Sequence, residues 1–402
     1  MPVETPSDLV SSPYPALAEL RAQGAVHSGE LMQLLNAGLP MSTGLDAVTG
    51  PSYSVVGHEQ VWTVLRSPDF SSKATSQTIG QFLGRTILEM DEPEHKLYRR
   101  LIAPVFTRNS LKTWHDRYVV PEVAAIIDSF TGSGSAELVR DLTQPLPIRL
   151  IAHLLGLPLS DVEEFQELAS VMVALEAHIT PQQQAAASSR LRDYFLDIIA
   201  QRRRDPKDDV VSLLCLSEVE QQRLTDEEIV SFLRLLLPAG AETTYRASGN
   251  LLFAVLSDHQ LWSGVKADPA LIPMAVEETL RWEPPIMAIG RVPTIDVELA
   301  GVAIPAGSAV HLSLGAANHD STVWDRPDEF DVQRRTQAHM AFASGPHLCI
   351  GLNLARMEMG AILRGVMRRF PYLRFDPDAG EPRIEGIAFR SPPELPVVWE
   401  KP

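Results

Sequence analysis

The chain of 402 residues holds only two cysteines, Cys215 and Cys349. Two thiols cannot build a disulfide framework, and such scarcity fits a reducing compartment. Long apolar runs are missing as well. A membrane helix needs about 18 or more consecutive apolar residues, and the best candidate, Phe232 to Ala241, is broken by Arg234 and Pro238. Positive charge is in deficit: the formal net charge is −16, which argues against nucleic acid or an anionic membrane as main partner. Met1 to Val10 lacks a basic segment followed by an apolar one, so no signal peptide is expected. There is no internal repeat, low-complexity tract or obvious domain linker. What is abundant is apolar side chain, 45% of the residues, enough for a large core. These features describe a cytoplasmic protein without a membrane anchor.

Helical periodicity dominates the chain. The spacing predicts helices over His58–Leu65, Lys96–Val105, Trp114–Phe130, Pro147–Leu155, Asp161–Glu176, Pro181–Arg203 and Asp268–Trp282. Short strands are expected at Pro51–Val56 and Ala136–Val139, and a small sheet over Ile295–Leu314. Met1 to Gly50 reads as a loosely structured cap, and Ser71 to Ile87 as a long loop of the kind that often carries function. Thr225-Asp-Glu-Glu228 is a capping box that opens the longest helical pattern, ending near Leu256. The expected fold is a single domain over 1–402, mainly α with minor β.

The densest chemistry lies in Phe342-Ala-Ser-Gly345-Pro-His347-Leu-Cys349-Ile-Gly351. Gly345 and Gly351 permit a sharp turn and close backbone approach to a ligand. A helix from Leu352 to Phe370 points its positive end at Cys349, which favours a thiolate, the form a soft metal takes. Zinc is a poor fit, because no further cysteine lies near His347 and Cys349. In the long helix, Pro238 cannot donate to the carbonyl of Arg234, and the Thr243 hydroxyl can reach the carbonyl of Ala239. A groove beside Ala239 and Gly240 is therefore expected, with an acid, Glu242, in an apolar helix centre. Glu278 and Arg281, three apart, face each other on one helix.

In this order, the cysteine loop, the A-G-x-E-T-T segment and E-x-x-R resemble the cytochrome P-450 monooxygenases. The resemblance implies the fold of that family, a long central helix over a haem with small antiparallel sheets. It implies heme b (iron protoporphyrin IX) ligated by the Cys349 thiolate, with Phe342, Gly345, Ala239 and Gly240 beside it. His95, Arg99, Arg291 and His347 stand where the family supplies donors to the haem carboxylates. Glu242 and Thr243 stand as its proton-delivering pair in O2 activation, and Glu278, Arg281 and Arg334 as its structural trio. Ala343 departs from the usual glycine of the loop. A distal pocket is expected from Ile87, Leu88, Met172, the Val171–Leu175 stretch, Leu236, Ile286, Met287, Ile289 and Phe389, whose apolar character points to a hydrophobic small organic substrate. Hydroxylation or a related C–H oxidation is implied. Electrons would come ultimately from NAD(P)H through a ferredoxin-type donor and its reductase, steered by a basic surface including Arg100, Arg356 and Arg364. Two alternatives stand beside this reading: a peroxide-driven hydroxylase, which usually lacks the acid–alcohol pair, and a catalytically silent haem-binding homologue acting as a partner protein.

Overall fold

The capping box closes as a reciprocal pair: Thr225 Oγ1 accepts from the Glu228 N–H at 3.3 Å, and Glu228 Oε2 accepts from the Thr225 N–H at 2.8 Å. The helix it opens, Asp226–Leu256, has 31 residues and passes through Pro238 without a break. At 1.5 Å per residue it is about 46 Å long. The structure is a computed structural model and describes residues 6–37, 43–77, 80–173, 179–335 and 337–400.

The long helix is held in two separate cores. Its first half, through Ile229, Val230, Leu233 and Leu237, is buried with helices Pro145–Leu155, Val162–Val173 and Pro181–Arg204. Its second half, through Ala247, Leu251, Leu252 and Val255, is buried with helices Leu271–Trp282 and Leu352–Arg369. From Pro238 to Thr243 none of its residues is fully buried, and Ala239 is exposed. A helix that is buried on both sides of an uncovered centre is the main positional fact of the fold.

The larger sheet has five strands. Val26–Ser28 pairs antiparallel with Ser52–Val55, which runs parallel to Ala309–Ser313. That strand pairs antiparallel with Ala288–Pro293, whose far end receives Phe70–Ser71. A hairpin of Val297–Leu299 and Val302–Ile304 follows Ala288–Pro293. The expected strand near Ala136 is Ser135–Glu137, paired with Pro396–Val398.

The first fifty residues are not loosely structured where they are described. They contribute helices Pro6–Ser11, Tyr14–Gln23 and Leu31–Leu34 and the first sheet strand. Tyr14, Leu17 and Leu20 repeat every three residues along a helix and bury against Met287, Ala288 and Ala316. Arg390 ties this segment down by donating to the carbonyls of Val10 (2.8 Å) and Ser11 (3.0 Å). The expected 71–87 loop contains a helical turn at Lys73–Gln77 and a short helix at Gly80–Leu83. Residues 78 and 79 of that loop, residues 1–5 and 38–42 of the cap, and 174–176 of the expected Asp161–Glu176 helix lie outside the described residues. Among the described residues no helix is long and apolar enough to cross a membrane.

Candidate active site

The cysteine loop is closed by its own backbone. The Cys349 N–H donates to the Phe342 carbonyl at 3.0 Å. Gly345 sits at φ +72, and a Cβ there would meet the carbonyl oxygen of Leu65 at 2.5 Å. Glycine at this point therefore lets the loop pack on the end of helix His58–Arg66. Ala343 adopts φ 55 and ψ −157, backbone territory almost reserved for glycine. The Cys349 thiol is pushed up by burial, the largest influence on it. Hydrogen bonds from the Gly351 and Leu352 backbone, together with Arg99 and Arg356, oppose that rise. The helix terminus alone, on which the sequence reading relied, does not outweigh desolvation. A coordinated cation reverses the balance, because a coordinating thiol is deprotonated outright.

Beside the loop, polar groups converge: His95, His347 and Arg291, with Glu92 and Asp91 as the nearby acids. The rings of His95 and His347 lie 4.1 Å apart. His95 is buried, its Nδ1 lies 3.3 Å from Glu92, and its Nε2 has no partner among the described residues. His347 Nε2 reaches the Ser72 hydroxyl at 3.3 Å. Burial, with Arg291 and His95 nearby, lowers His347 to about 3, so its ring is neutral at physiological pH. Arg291 is buried, and among the described residues its side chain donates to the carbonyl of its own neighbour, Gly290; burial, opposed by Asp91, pushes it down to about 10. Arg99 donates instead to the Leu348 carbonyl at 2.5 Å, bracing the cysteine loop directly. A buried guanidinium and an unsatisfied imidazole in one place suit carboxylates brought by a cofactor.

The uncovered centre of the long helix carries the second group of candidate residues. Thr243 Oγ1 donates to the Ala239 carbonyl at 2.9 Å, the bond its spacing predicts. Glu242 lies one residue earlier and is engaged: Oε1 accepts from Arg246 Nε at 2.9 Å and from the Tyr245 hydroxyl at 3.2 Å. Gly240 faces helix Pro145–Leu155, where a Cβ would meet Ile151 Cδ1 at 3.1 Å. Close helix packing accounts for that glycine, while Ala239 carries the exposed face.

The structural trio comes together as one buried cluster. Glu278 Oε1 accepts from Arg281 Nη2 at 2.7 Å and from Arg334 Nε at 3.0 Å. Arg281 also donates to the carbonyls of Asn318, Pro327 and Glu329. The preceding Glu277 has its own task, which the sequence reading missed. Burial would raise it, but His339 and Arg356 hold it at about 2. The Arg356 guanidinium lies 4.7 Å from the Phe342 ring, so this ion cluster supports the cysteine loop from beneath. It also occupies a cation expected on the basic surface. Arg100 is likewise paired, with Glu220 at 2.5 Å; on helix Leu352–Arg369, Arg364, Arg368 and Arg369 are exposed, Arg369 paired with Asp128 at 2.9 Å.

The expected pocket residues divide. Leu236 is partly buried next to Leu237, and Phe389, bridged to Ile286, is 37% exposed. Ile87 packs partly on the first core, Ile289 partly on the sheet cluster, and Leu88 is exposed. Met172 and Met287 are buried in core clusters. Met172 is fully buried with Phe165 and Leu191 in the first core. Met287 is buried beside Tyr14 and fills the space that Gly315 leaves open. Residues 174 and 175 of the Val171–Leu175 stretch lie outside the described residues.

The donor set fits an iron porphyrin. It offers one thiol on a glycine-bounded loop and, beside it, a buried guanidinium without an ion pair and an imidazole nitrogen without a partner among the described residues.

Three comparisons bear on this arrangement. The family model described as Cytochrome P450 matches residues 267–395. The nocardicin C N-oxygenase of Nocardia uniformis subsp. tsuyamanensis is 35% identical, over 86% of this chain and 89% of that protein. The steroid C26-monooxygenase of Mycobacterium tuberculosis (strain CDC 1551 / Oshkosh) is 34% identical, over 83% of this chain and 91% of that protein. The crystal structure of CYP109E1 from Bacillus megaterium in complex with testosterone superposes with a TM-score of 0.85 at 29% identity, covering 97% of this chain and 99% of that one.

Proposed function

This chain belongs to the cytochrome P450 family and is a haem-thiolate monooxygenase, and from that premise we propose the roles of its residues, its substrate class and its electron supply. When bound, haem supplies the oxygen-activating iron, and Cys349 thiolate is its ligand from the protein. His95, His347 and Arg291 hold the haem carboxylates, with Ser72 fixing the His347 ring; Arg99 steadies the loop through Leu348. Ala239, small and exposed on the long helix, would leave room for the haem. Glu242 and Thr243 form the proton relay: the Thr243 hydroxyl is anchored at the Ala239 carbonyl, and Glu242 is the adjoining acid. Glu278, Arg281 and Arg334 keep the segment leading to the cysteine loop in place.

The substrate is a hydrophobic small organic molecule seated against Leu236, Ile286 and Phe389, and the reaction is hydroxylation or a related C–H oxidation. Relatives named for nocardicin C and for a steroid's C26 position suit a pocket lined by apolar side chains. Electrons come from NAD(P)H by way of a reductase and a ferredoxin-type donor, which docks near the exposed Arg364 and Arg368 on an otherwise acidic protein. The chain works as one catalytic domain in the cytoplasm.

One observation carries this reading. From Pro238 to Thr243 the long helix is nowhere fully buried, while Arg291 and His95 are buried near the cysteine loop, the guanidinium with no ion pair among the described residues and the imidazole Nε2 with no partner there. The test is turnover of candidate hydrophobic substrates under labelled O2 with a ferredoxin system. One labelled oxygen atom per product molecule, dependent on reductant, is expected. Equal turnover with peroxide and no reductant would assign the peroxide-driven alternative instead.

A further inference from the structure

We propose that Arg246 is a positioning residue for Glu242, tying the acid of the long helix to the Phe389–Ser391 wall of the substrate pocket. The inference rests on reading Glu242 and Thr243 as the proton relay. Ala239, Glu242, Thr243 and Arg246 stand at i, i+3, i+4 and i+7, so they share the uncovered face of the helix. Arg246 donates to Glu242 Oε1 twice, from Nε at 2.9 Å and from Nη2 at 2.5 Å. The Tyr245 hydroxyl donates to the same oxygen. Three donors on one oxygen fix the carboxylate's direction and leave Oε2 as the oxygen that can exchange a proton.

The other end of Arg246 reaches the pocket wall. Nη1 donates to Ser391 Oγ at 3.1 Å, and the guanidinium lies 5.4 Å from the centre of the Phe389 ring. That wall is a stiff turn. Glu385 and Ser391 exchange backbone hydrogen bonds at 3.1 Å in both directions, and Gly386 sits at φ +103, where a Cβ would collide with the Phe389 carbonyl. The turn is pinned to the strand side by the Arg390 N–H, which donates to the Pro285 carbonyl at 3.1 Å. Phe389 is exposed on this rigid support, so a ligand against its ring acts on the same cation that holds the acid. The sequence carried the signal: an arginine four residues after a helical glutamate is a favourable pair.

The experiment compares the haem-loaded wild type with Arg246→Gln and Arg246→Lys. Its first readout is product formed per reductant consumed. The second is the infrared carboxylate band of Glu242, identified by subtracting Glu242→Gln. Arg246→Gln shifts the band and lowers the coupling ratio about three-fold or more, a modest share of what a positioned proton donor contributes. Arg246→Lys recovers at least half of the ratio, since an ammonium can replace one of the two bonds to Glu242. Binding of 4-phenylimidazole moves the Glu242 band in the wild type and not in Arg246→Gln. Wild-type ratio and band in Arg246→Gln would overturn the proposal, as would a Glu242 band that ignores the ligand in the wild type. If the wild type makes no O2-derived product, the relay reading fails, and the band then decides alone whether Arg246 positions Glu242. The band is also read on Arg246→Gln without haem, where a shift supports the tie and its absence overturns it.

Discussion

Removing the carboxylate of Glu278 should be among the most damaging single changes outside the cysteine loop. A Glu–Arg pair three apart on a helix is worth about 0.5 kcal/mol or less when it is solvated. Here Glu278 is 5% and Arg281 1% exposed. Glu278→Ala would leave the Arg281 guanidinium buried without its counter-charge and would remove the acceptor for Arg334 Nε and for the Asp331 N–H. Breaking a buried pair from one side costs about 3–5 kcal/mol. Against a total stability of about 5–15 kcal/mol, that is a large fraction. Urea unfolding followed by far-ultraviolet circular dichroism gives the loss directly, provided the slopes of the two transitions agree. The apolar double variant Glu278→Leu with Arg281→Met should not recover. Arg281 also serves the carbonyls of Asn318, Pro327 and Glu329, and each acceptor left unsatisfied costs about 1–3 kcal/mol. A loss below about 1 kcal/mol for Glu278→Ala would refute the reasoning, because it would match a solvated pair.

Thr243→Ala should keep consuming reductant while product per electron falls by about ten-fold or more, and Thr243→Ser should retain most of the coupling; an unchanged ratio in the alanine variant would remove the relay role. Glu358 is buried, its Oε2 is unpartnered among the described residues, and burial raises its carboxyl to about 8. An acid whose folded value lies above its unfolded value of about 4.3 costs stability as pH rises between the two, by up to about 1.4 kcal/mol per pH unit. Glu358→Gln should therefore match the wild type near pH 4 and exceed it increasingly up to pH 8; parallel stability profiles would show that the carboxyl is solvated or paired. Ala343→Gly relieves a backbone conformation costing about 1–3 kcal/mol and returns about 0.4–1 kcal/mol to the unfolded chain. A net gain of about 1 kcal/mol is expected in thermal or urea unfolding, and a loss would mean that the Ala343 methyl packs better than its backbone is strained.

The parts of the site that were legible beforehand are those with local signals. The capping box at Thr225 and Glu228, the Ala239–Thr243 spacing and the glycines around Cys349 each act within a few residues, so the sequence displays them. Glu278 and Arg281 were visible as a pair, but their burial was not. Long-range partners were hidden. Glu277 looks like one more acid on a helix until Arg356, 79 positions on, folds against it. The Met1–Gly50 segment seemed loose because the residues that bury Tyr14 and Leu17 lie near Met287 and Ala316. Met172 and Met287 lie in segments where the resemblance places the pocket, but a segment's position does not tell a core face from a ligand face, and both side chains are buried in core clusters. Cys349 shows the same limit in electrostatics: its helix terminus is readable from sequence, while the burial that dominates its thiol is not.

The claim on which the rest depends is that Cys349 gives its thiolate to haem iron. The absorption spectrum of the reduced, carbon monoxide-bound protein tests it most directly, with Cys349→His as reference. Thiolate ligation gives the wild type a strongly red-shifted Soret band that is lost in the histidine variant. A wild-type band at the unshifted position of imidazole-ligated haem would contradict it.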